Sequence, residues 1–235
     1  MTILRRLDEI KFLVIDTETT GVQPETDRVV EVAAVAVKGN RVKTAFHTLI
    51  DPEMPIPPEA SGVHGIADWH VKGKPTFETI WPNLQALIDR ADVLVAHNAP
   101  FDRAFLPPTD KLWLDTLRLA RHLWPKAPNH QNQTLRYYCK LRLEGLAHSA
   151  DGDAMVTAHL LILLLRTYAK CELPDTISDL LAFSESPIMV KKMPFGKHAG
   201  SLLSDLPPDY VQWLLREGRE LDADLRHSLT TMFYS

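Results

Sequence analysis

FLVIDTETTG, residues 12–21, runs four apolar residues straight into two carboxylates, Asp16 and Glu18, separated by a single threonine. Side chains along a strand alternate faces, so a buried strand over residues 12–15 sends Asp16 and Glu18 out of the same face. Two unit charges ~5 Å apart repel by roughly 3 kcal/mol at an effective dielectric near 20. Something positive should sit between them.

The pattern returns twice. HNAPFD (97–102) puts Asp102 at the start of a helix directly after the apolar DVLVA run, and HSADGDA (148–154) puts His148 five residues before Asp153 at the opening of a long apolar helix. Five residues span about one and a half helical turns, so His148 and Asp153 meet only if His148 lies in the preceding loop. Gly152 costs ~1 kcal/mol inside a helix relative to alanine, which favours a helix start here. Asp151 then reads as an N-cap or an exposed first-turn acid. Glu31 and Asp115 also adjoin apolar strands and read as salt-bridge or helix-capping acids.

Working outward, RVVEVAAVAV (28–37) and RVKTAFHTLI (41–50) are β-rich runs joined by Lys38-Gly39-Asn40, a turn with hairpin chemistry. Three antiparallel strands are expected at the front of the chain. A Pro-rich loop with a short helix near residues 58–63 follows, and Phe77, Ile80, Trp81, Leu84, Leu87 and Ile88 then recur at helical spacing, with Pro82 as a kink or a late first turn. DVLVAHN and KLWLDT read as further strands. PFDRAFL, LRLARHLW, QTLRYYCKLRL and ADGDAMVTAHLLILLLRTYAK read as helices, the last buried because its middle is apolar all round. The fold class is therefore α/β, a mixed sheet flanked by helices. Three segments are expected: a domain over 1–172, a linker helix within 173–192, and a small α+β module over 193–235 that carries FGKH.

With 45% hydrophobic and 24% charged residues in 235 positions, the composition is that of a globular protein. A net charge of −4 argues against a protein that coats nucleic acid electrostatically, but not against one that grips a strand end. Cys139 and Cys171 offer no disulfide framework and no metal spacing; reduced thiols and a cytoplasmic location are expected. The longest apolar run, 160–165, is too short to span a bilayer, and residues 1–13 lack an export signal, so no membrane partner is expected.

Each acidic motif alone is weak, but their order is specific: Asp-x-Glu-Thr-Thr-Gly after one apolar strand, Asn-x-x-Phe-Asp after another, His-x-Ala-x-x-Asp-Ala on a helix. Over residues 12–169 this set resembles the DEDDh 3′-to-5′ exonucleases of the ribonuclease H-like superfamily, which includes proofreading enzymes. The stretches RLARHLWP (118–125) and VHGI (63–66) are similar to its exonuclease X and DNA polymerase III epsilon branches, and FGKHAG (195–200) to a tail of the former. The resemblance implies that Asp16, Glu18, Asp102 and Asp153 are the metal-holding acids and His148 the general base. It also implies two Mg²⁺ or Mn²⁺ ions, with Asp16 bridging both, Glu18 and Asp153 completing one site and Asp102 supporting the other; oxygen donors suit such hard cations.

Thr19, Thr20, His64, Asn98 and Phe101 are the substrate-contact candidates, His64 and Phe101 by stacking on a base. The expected partner is a DNA 3′ end, single-stranded or frayed duplex, from which nucleoside 5′-monophosphates are released. RNA is the alternative substrate, because the same site hydrolyses either backbone. A noncatalytic or proofreading accessory that binds a polymerase or repair protein is the alternative from another class. Lys191, Lys192, Lys197 and His198 form a basic cluster near the tail that reads either as phosphate contacts or as a solvated surface.

Overall fold

The computed structural model describes residues 5–143, 148–217 and 221–234. The first strand, β1 (Phe12–Thr19), is the axis of a five-stranded sheet. It pairs antiparallel with β2 (Val29–Lys38), which pairs antiparallel with β3 (Arg41–Leu49). On its other side β1 runs parallel to β4 (Val93–Ala96), and β4 parallel to β5 (Leu112–Asp115), giving the order β3-β2-β1-β4-β5. The mixed sheet is the one the sequence led us to expect, hairpin first. Lys38 pairs with Arg41, and Gly39 takes a positive φ of 56° at the turn, a conformation that glycine adopts without a Cβ clash.

Ten helices are described: α1 (Pro58–His64), α2 (Asp68–Val71), α3 (Phe77–Arg90), α4 (Ala99–Phe105), α5 (Thr116–Leu123), α6 (Asn132–Tyr138), α7 (Ala150–Ala169), α8 (Ile177–Glu185), α9 (Pro208–Glu217) and α10 (Ala223–Tyr234). Both faces of the sheet are covered, which is why β1 and β2 read as continuous apolar runs rather than alternating ones. Phe12 and Val14 pack with Ala33, Val35, Val93 and Val95 against the buried side of α7; Leu13 and Ile15 pack with Val32, Ala34 and Leu94 against Ile80, Leu84 and Ile88 of α3. Helix α3 continues through Pro82 without a break.

That parity positions the acids. Residues 12, 14, 16 and 18 share one face of the strand, so Asp16 and Glu18 emerge on the side where α7 begins.

The chain divides into two compact units, 1–184 and 185–235. Helix α8 belongs to the first, because Ile177 and Leu180 are fully buried in its core beside Tyr168. The two boundaries expected at 172 and 192 are thus replaced by one after Ser184. The second unit has its own core of Met193, Leu203, Leu206, Val211, Leu214, Leu225 and Leu229, built mainly from α9 and α10. Its extended pairing among the described residues is a single bridge, Lys192 to Leu202. No helix among the described residues is long and apolar enough to cross a membrane.

Candidate active site

Asp16, Glu18 and Asp153 each offer a carboxylate oxygen, and the three oxygens lie within 4.8 Å of one another. Asp16 and Glu18 come from the C-terminal half of β1, Asp153 from the first turn of α7. Ser149 caps that helix, accepting the Gly152 N–H at 3.3 Å, so Gly152 marks a helix start and Asp151 is a first-turn acid rather than the cap. No ion pair among the described residues reaches any of the three carboxylates.

The electrostatic result follows. Burial, and then the charges of Asp102, Asp153, Glu18 and Glu31, hold Asp16 well above the usual carboxylate range. Burial, followed by Asp153, Glu31 and Asp102, pushes Glu18 up to about 8. The repulsion read from the sequence is present, and no ion pair among the described residues relieves it.

Asp102 sits outside this trio, yet its charge is the leading coulombic cause of the Asp16 shift. It is 3% exposed, in the first turn of α4, and Thr17 holds it twice: the backbone N–H donates to Oδ1 at 2.9 Å and the hydroxyl donates to the same oxygen at 2.8 Å. Burial raises Asp102 to about 7 against the opposing pull of those bonds. The threonine between the two carboxylates, read at first only as a spacer, therefore clamps the acid of the second motif. No periodicity in the sequence announces this contact, because its partner lies 85 residues on.

His148 lies in the turn before α7, as its spacing from Asp153 required, in the left-handed region at φ 59°. Its backbone N–H donates to Asp153 Oδ2 at 3.1 Å, and its side chain is exposed. The other oxygen of Asp153 accepts from Gln133 Nε2, and Arg136 Nη1 donates to Gln133 Oε1 at 3.2 Å. Asn132 Nδ2 donates to Thr157 Oγ1 at 2.7 Å and so ties α6 to α7. Neither Gln133 nor Asn132 was singled out from the sequence, where NQTL reads as an ordinary polar helix start.

The substrate-contact candidates separate into two groups. Thr19, Thr20 and His64 are buried, and their polar groups are used inside the fold. The Thr19 hydroxyl donates to the Gly21 carbonyl; that of Thr20 donates to Asp27 and accepts the Arg28 N–H at 2.9 Å. His64 Nδ1 accepts the Ile66 N–H at 3.0 Å while Nε2 faces the Thr19 carbonyl at 3.3 Å, and burial lowers its pKa. A Cβ on Gly21 would stand 2.4 Å from Asp27 Oδ2, so this loop admits only glycine as it is closed. Asn98, at φ 82°, is exposed, and Phe101 is half-buried against Phe105 with ring centroids 5.1 Å apart.

Glu31 and Asp115 have the structural roles expected of them. Glu31 meets His47 Nε2 at 2.7 Å and accepts the Ala150 N–H at 2.8 Å; Asp115 caps α5 through the Leu117 N–H and accepts the Asn98 N–H.

Residues 13–161 match the family described as "Exonuclease". The chain belongs to that family. Exodeoxyribonuclease 10 of Escherichia coli (strain K12) is 33% identical over 223 residues, 92% of this chain and 96% of that protein. The DNA polymerase III subunit epsilon of Treponema pallidum is 34% identical over 174 residues, 69% of this chain and 80% of the relative. Among solved structures, exonuclease X in complex with 5′ overhanging duplex DNA superposes with a TM-score of 0.63 at 33% identity, covering 74% of this chain and 99% of that one. The protein is a 3′-to-5′ exonuclease of the type its ordered motifs implied. A second match, residues 186–233 to the family described as "Putative quorum-sensing-regulated virulence factor", falls within the second compact unit.

Proposed function

We propose that this exonuclease removes nucleoside 5′-monophosphates from DNA 3′ ends, using two divalent ions and His148 as general base. The observation that carries this reading is the convergence of the Asp16, Glu18 and Asp153 oxygens within 4.8 Å, with no ion pair to them among the described residues. An all-carboxylate donor set, two of whose members, Asp16 and Glu18, are pushed towards protonation by burial and then by neighbouring carboxylates, fits Mg²⁺ or Mn²⁺. Asp16 would hold both ions, Glu18 and Asp153 one, and Asp102 the other from its Thr17 clamp. When bound, the ions supply charge stabilisation at the phosphate and a more acidic water.

The remaining steps belong to the chain itself. His148, in the turn before α7, accepts the proton of the water whose oxygen attacks phosphorus; the P–O3′ bond breaks and the leaving oxygen takes up a proton from solvent. Asn98 and Phe101, the candidates that are not fully buried, approach the terminal nucleotide. Thr19, Thr20 and His64 shape the strand end with the bonds already described. DNA as the substrate is supported by the exodeoxyribonuclease relative and by the DNA-bound exonuclease X structure, whose 5′ overhang presents a recessed 3′ end. The first unit carries this chemistry, and the second is a separate module.

The test uses 5′-labelled single-stranded DNA, 5′-overhanging duplex and RNA, each with Mg²⁺, Mn²⁺ or chelator. A ladder shortening from the 3′ end of DNA, dependent on metal, is expected. Internal nicks or undiminished cleavage in chelator would overturn the reading, and faster loss of RNA would transfer it to an exoribonuclease. A His148→Ala variant that keeps the parent's rate would remove His148 from that role.

A further inference from the structure

At the end of the sheet away from the carboxylates lies a cleft of about 380 Å³. Its walls are aliphatic: Leu13 of β1, Ala36 of β2, and Leu87 and Ala91 at the end of α3. Its rim is basic, formed by Lys11, Lys38, Arg41, Lys43 and Arg90, and no acidic residue among the described ones lines it. The chain as a whole has 30 acidic residues against 26 basic ones, so five cations around one apolar opening depart from the composition.

The cleft arises where α3 stops short of the sheet it covers. Ala36 pairs directly with Lys43, and Lys38 with Arg41, so these residues share the sheet face on which Leu13 packs with Leu87 and Ala91. All five cations are exposed, and none is ion-paired among the described residues. Asp92, close by, is held instead by Arg5 and the Lys11 N–H, and Asp89 accepts from Gln85. Solvated lysines that guard an edge strand would account for Lys38, Arg41 and Lys43. They do not account for Lys11 and Arg90, which close the ring from other elements.

We propose that this cleft docks an acidic peptide segment of a partner protein, with an apolar side chain in the cleft and carboxylates on the rim. Charge complementarity selects an anionic partner, and the walls select a peptide over a nucleic-acid strand. A strand gains from aromatic faces, whereas the aromatic residue here, Phe12, is 2% exposed. From Leu13 the site is roughly 10–17 Å from Asp16 and Glu18, counting three and five strand residues at ~3.3 Å each, and it lies towards the opposite end of β1.

The experiment uses the full chain in chelator, so its outcome does not depend on turnover. A fluorescein-labelled oligo-aspartate peptide ending in leucine and phenylalanine is titrated at low ionic strength and followed by anisotropy. Saturable binding is expected, weakening about tenfold or more when the last two residues are serine, and by a similar factor in the double variant Lys43→Glu, Arg90→Glu. That variant should melt as the parent does and retain its rate on labelled DNA to within about twofold, because exposed charges are replaced away from special sites. Three results would overturn the proposal: no saturable binding, equal affinity for the serine peptide, or equal affinity in the double variant. A variant that loses affinity for single-stranded or duplex DNA while keeping the peptide would assign the rim to nucleic acid instead.

Discussion

The two ends of the sheet are charged in opposite senses, and they differ in how each charge is satisfied. Where β1 ends, Glu18 and Glu31 are direct cross-strand partners, yet their fates diverge. Glu31 is spent on His47 and the Ala150 N–H, as Asp115 is on two backbone amides. Glu18 has no ion-pair partner among the described residues and is shifted to about 8. Where β1 begins, cations gather around an apolar opening while the nearby Asp92 is taken by Arg5. A group satisfied inside the fold stabilises it; a group left unmatched in a low-dielectric setting is held ready for a ligand.

The sharpest way to break that contrast is Asp16→Asn. Activity with Mg²⁺ is expected to fall by at least ~10³, while the melting temperature in chelator stays level or rises because a repelling charge has gone. A large loss of melting temperature would mean that Asp16 has a structural partner after all.

A smaller but more general effect is expected from pH alone. The folded pKa of Glu18 is about 8 against 4.5 in a free side chain, and Asp16 is raised in the same direction. Between those values the unfolded chain binds fewer protons than the folded one. The stability contribution is therefore complete below about pH 4.5 and is lost as pH rises through about 8. Discounted for partial exposure, this amounts to about 1–3 kcal/mol, or roughly 3–8 °C between pH 5 and 8.5 in chelator. Mg²⁺ should cancel the decline. A melting temperature that climbs over this range in chelator would contradict the shifts.

Much of the fold was legible because its signals are local. The hairpin turn at Gly39, the 3.6-residue periodicity of α3 and the uniformly apolar middle of α7 each follow from neighbours in sequence. The three carboxylates that converge were legible too, since strand parity and a helix start fix their direction. What escaped were groups whose role depends on a distant partner. Thr17 acts through Asp102, 85 residues on, and Gln133 through Asp153, 20 residues on. A polar side chain carries no periodicity that announces such a contact. The internal bonds of the Thr19 and Thr20 hydroxyls, to the Gly21 carbonyl and to Asp27, are illegible in the sequence for the same reason. Helix α8 read as a linker because its sequence does not reveal that Ile177 and Leu180 reach the core of the first unit.

Thr17 offers the next test. In Thr17→Val the backbone N–H still reaches Asp102, but the hydroxyl is gone, leaving a buried carboxylate with one donor fewer. A cost of about 1–2 kcal/mol in stability is expected near neutral pH. Because those bonds oppose the burial that lifts Asp102 to about 7, its pKa rises further, and the rate at pH 7 falls about tenfold and recovers towards pH 9. Thr17→Ser should behave as the parent. A loss of rate that is the same at every pH would show that the hydroxyl positions Asp102 without affecting its charge.

Gln133 gives the smallest effect and the finest distinction. Asp153 stands between the two classes of acid compared above: neutral donors touch both of its oxygens, and no side-chain cation among the described residues pairs with it. Arg136 donates to Gln133 Oε1, which requires the NH₂ end of the amide to face Asp153; the glutamine is thus oriented from behind. Two roles are consistent with a donor in that place, and they differ in sign. If Gln133 aims the carboxylate, Gln133→Ala lowers kcat about threefold to tenfold, with the Mn²⁺ midpoint shifting less, because a misaimed ligand still binds but misplaces the ion. If Gln133 instead competes for the oxygen, its removal lowers the Mn²⁺ midpoint and leaves kcat where it was. The clamp from Arg136 favours aiming, since a competitor gains nothing from being held in register. A Mn²⁺ titration of the rate, read as kcat and midpoint separately, decides between them.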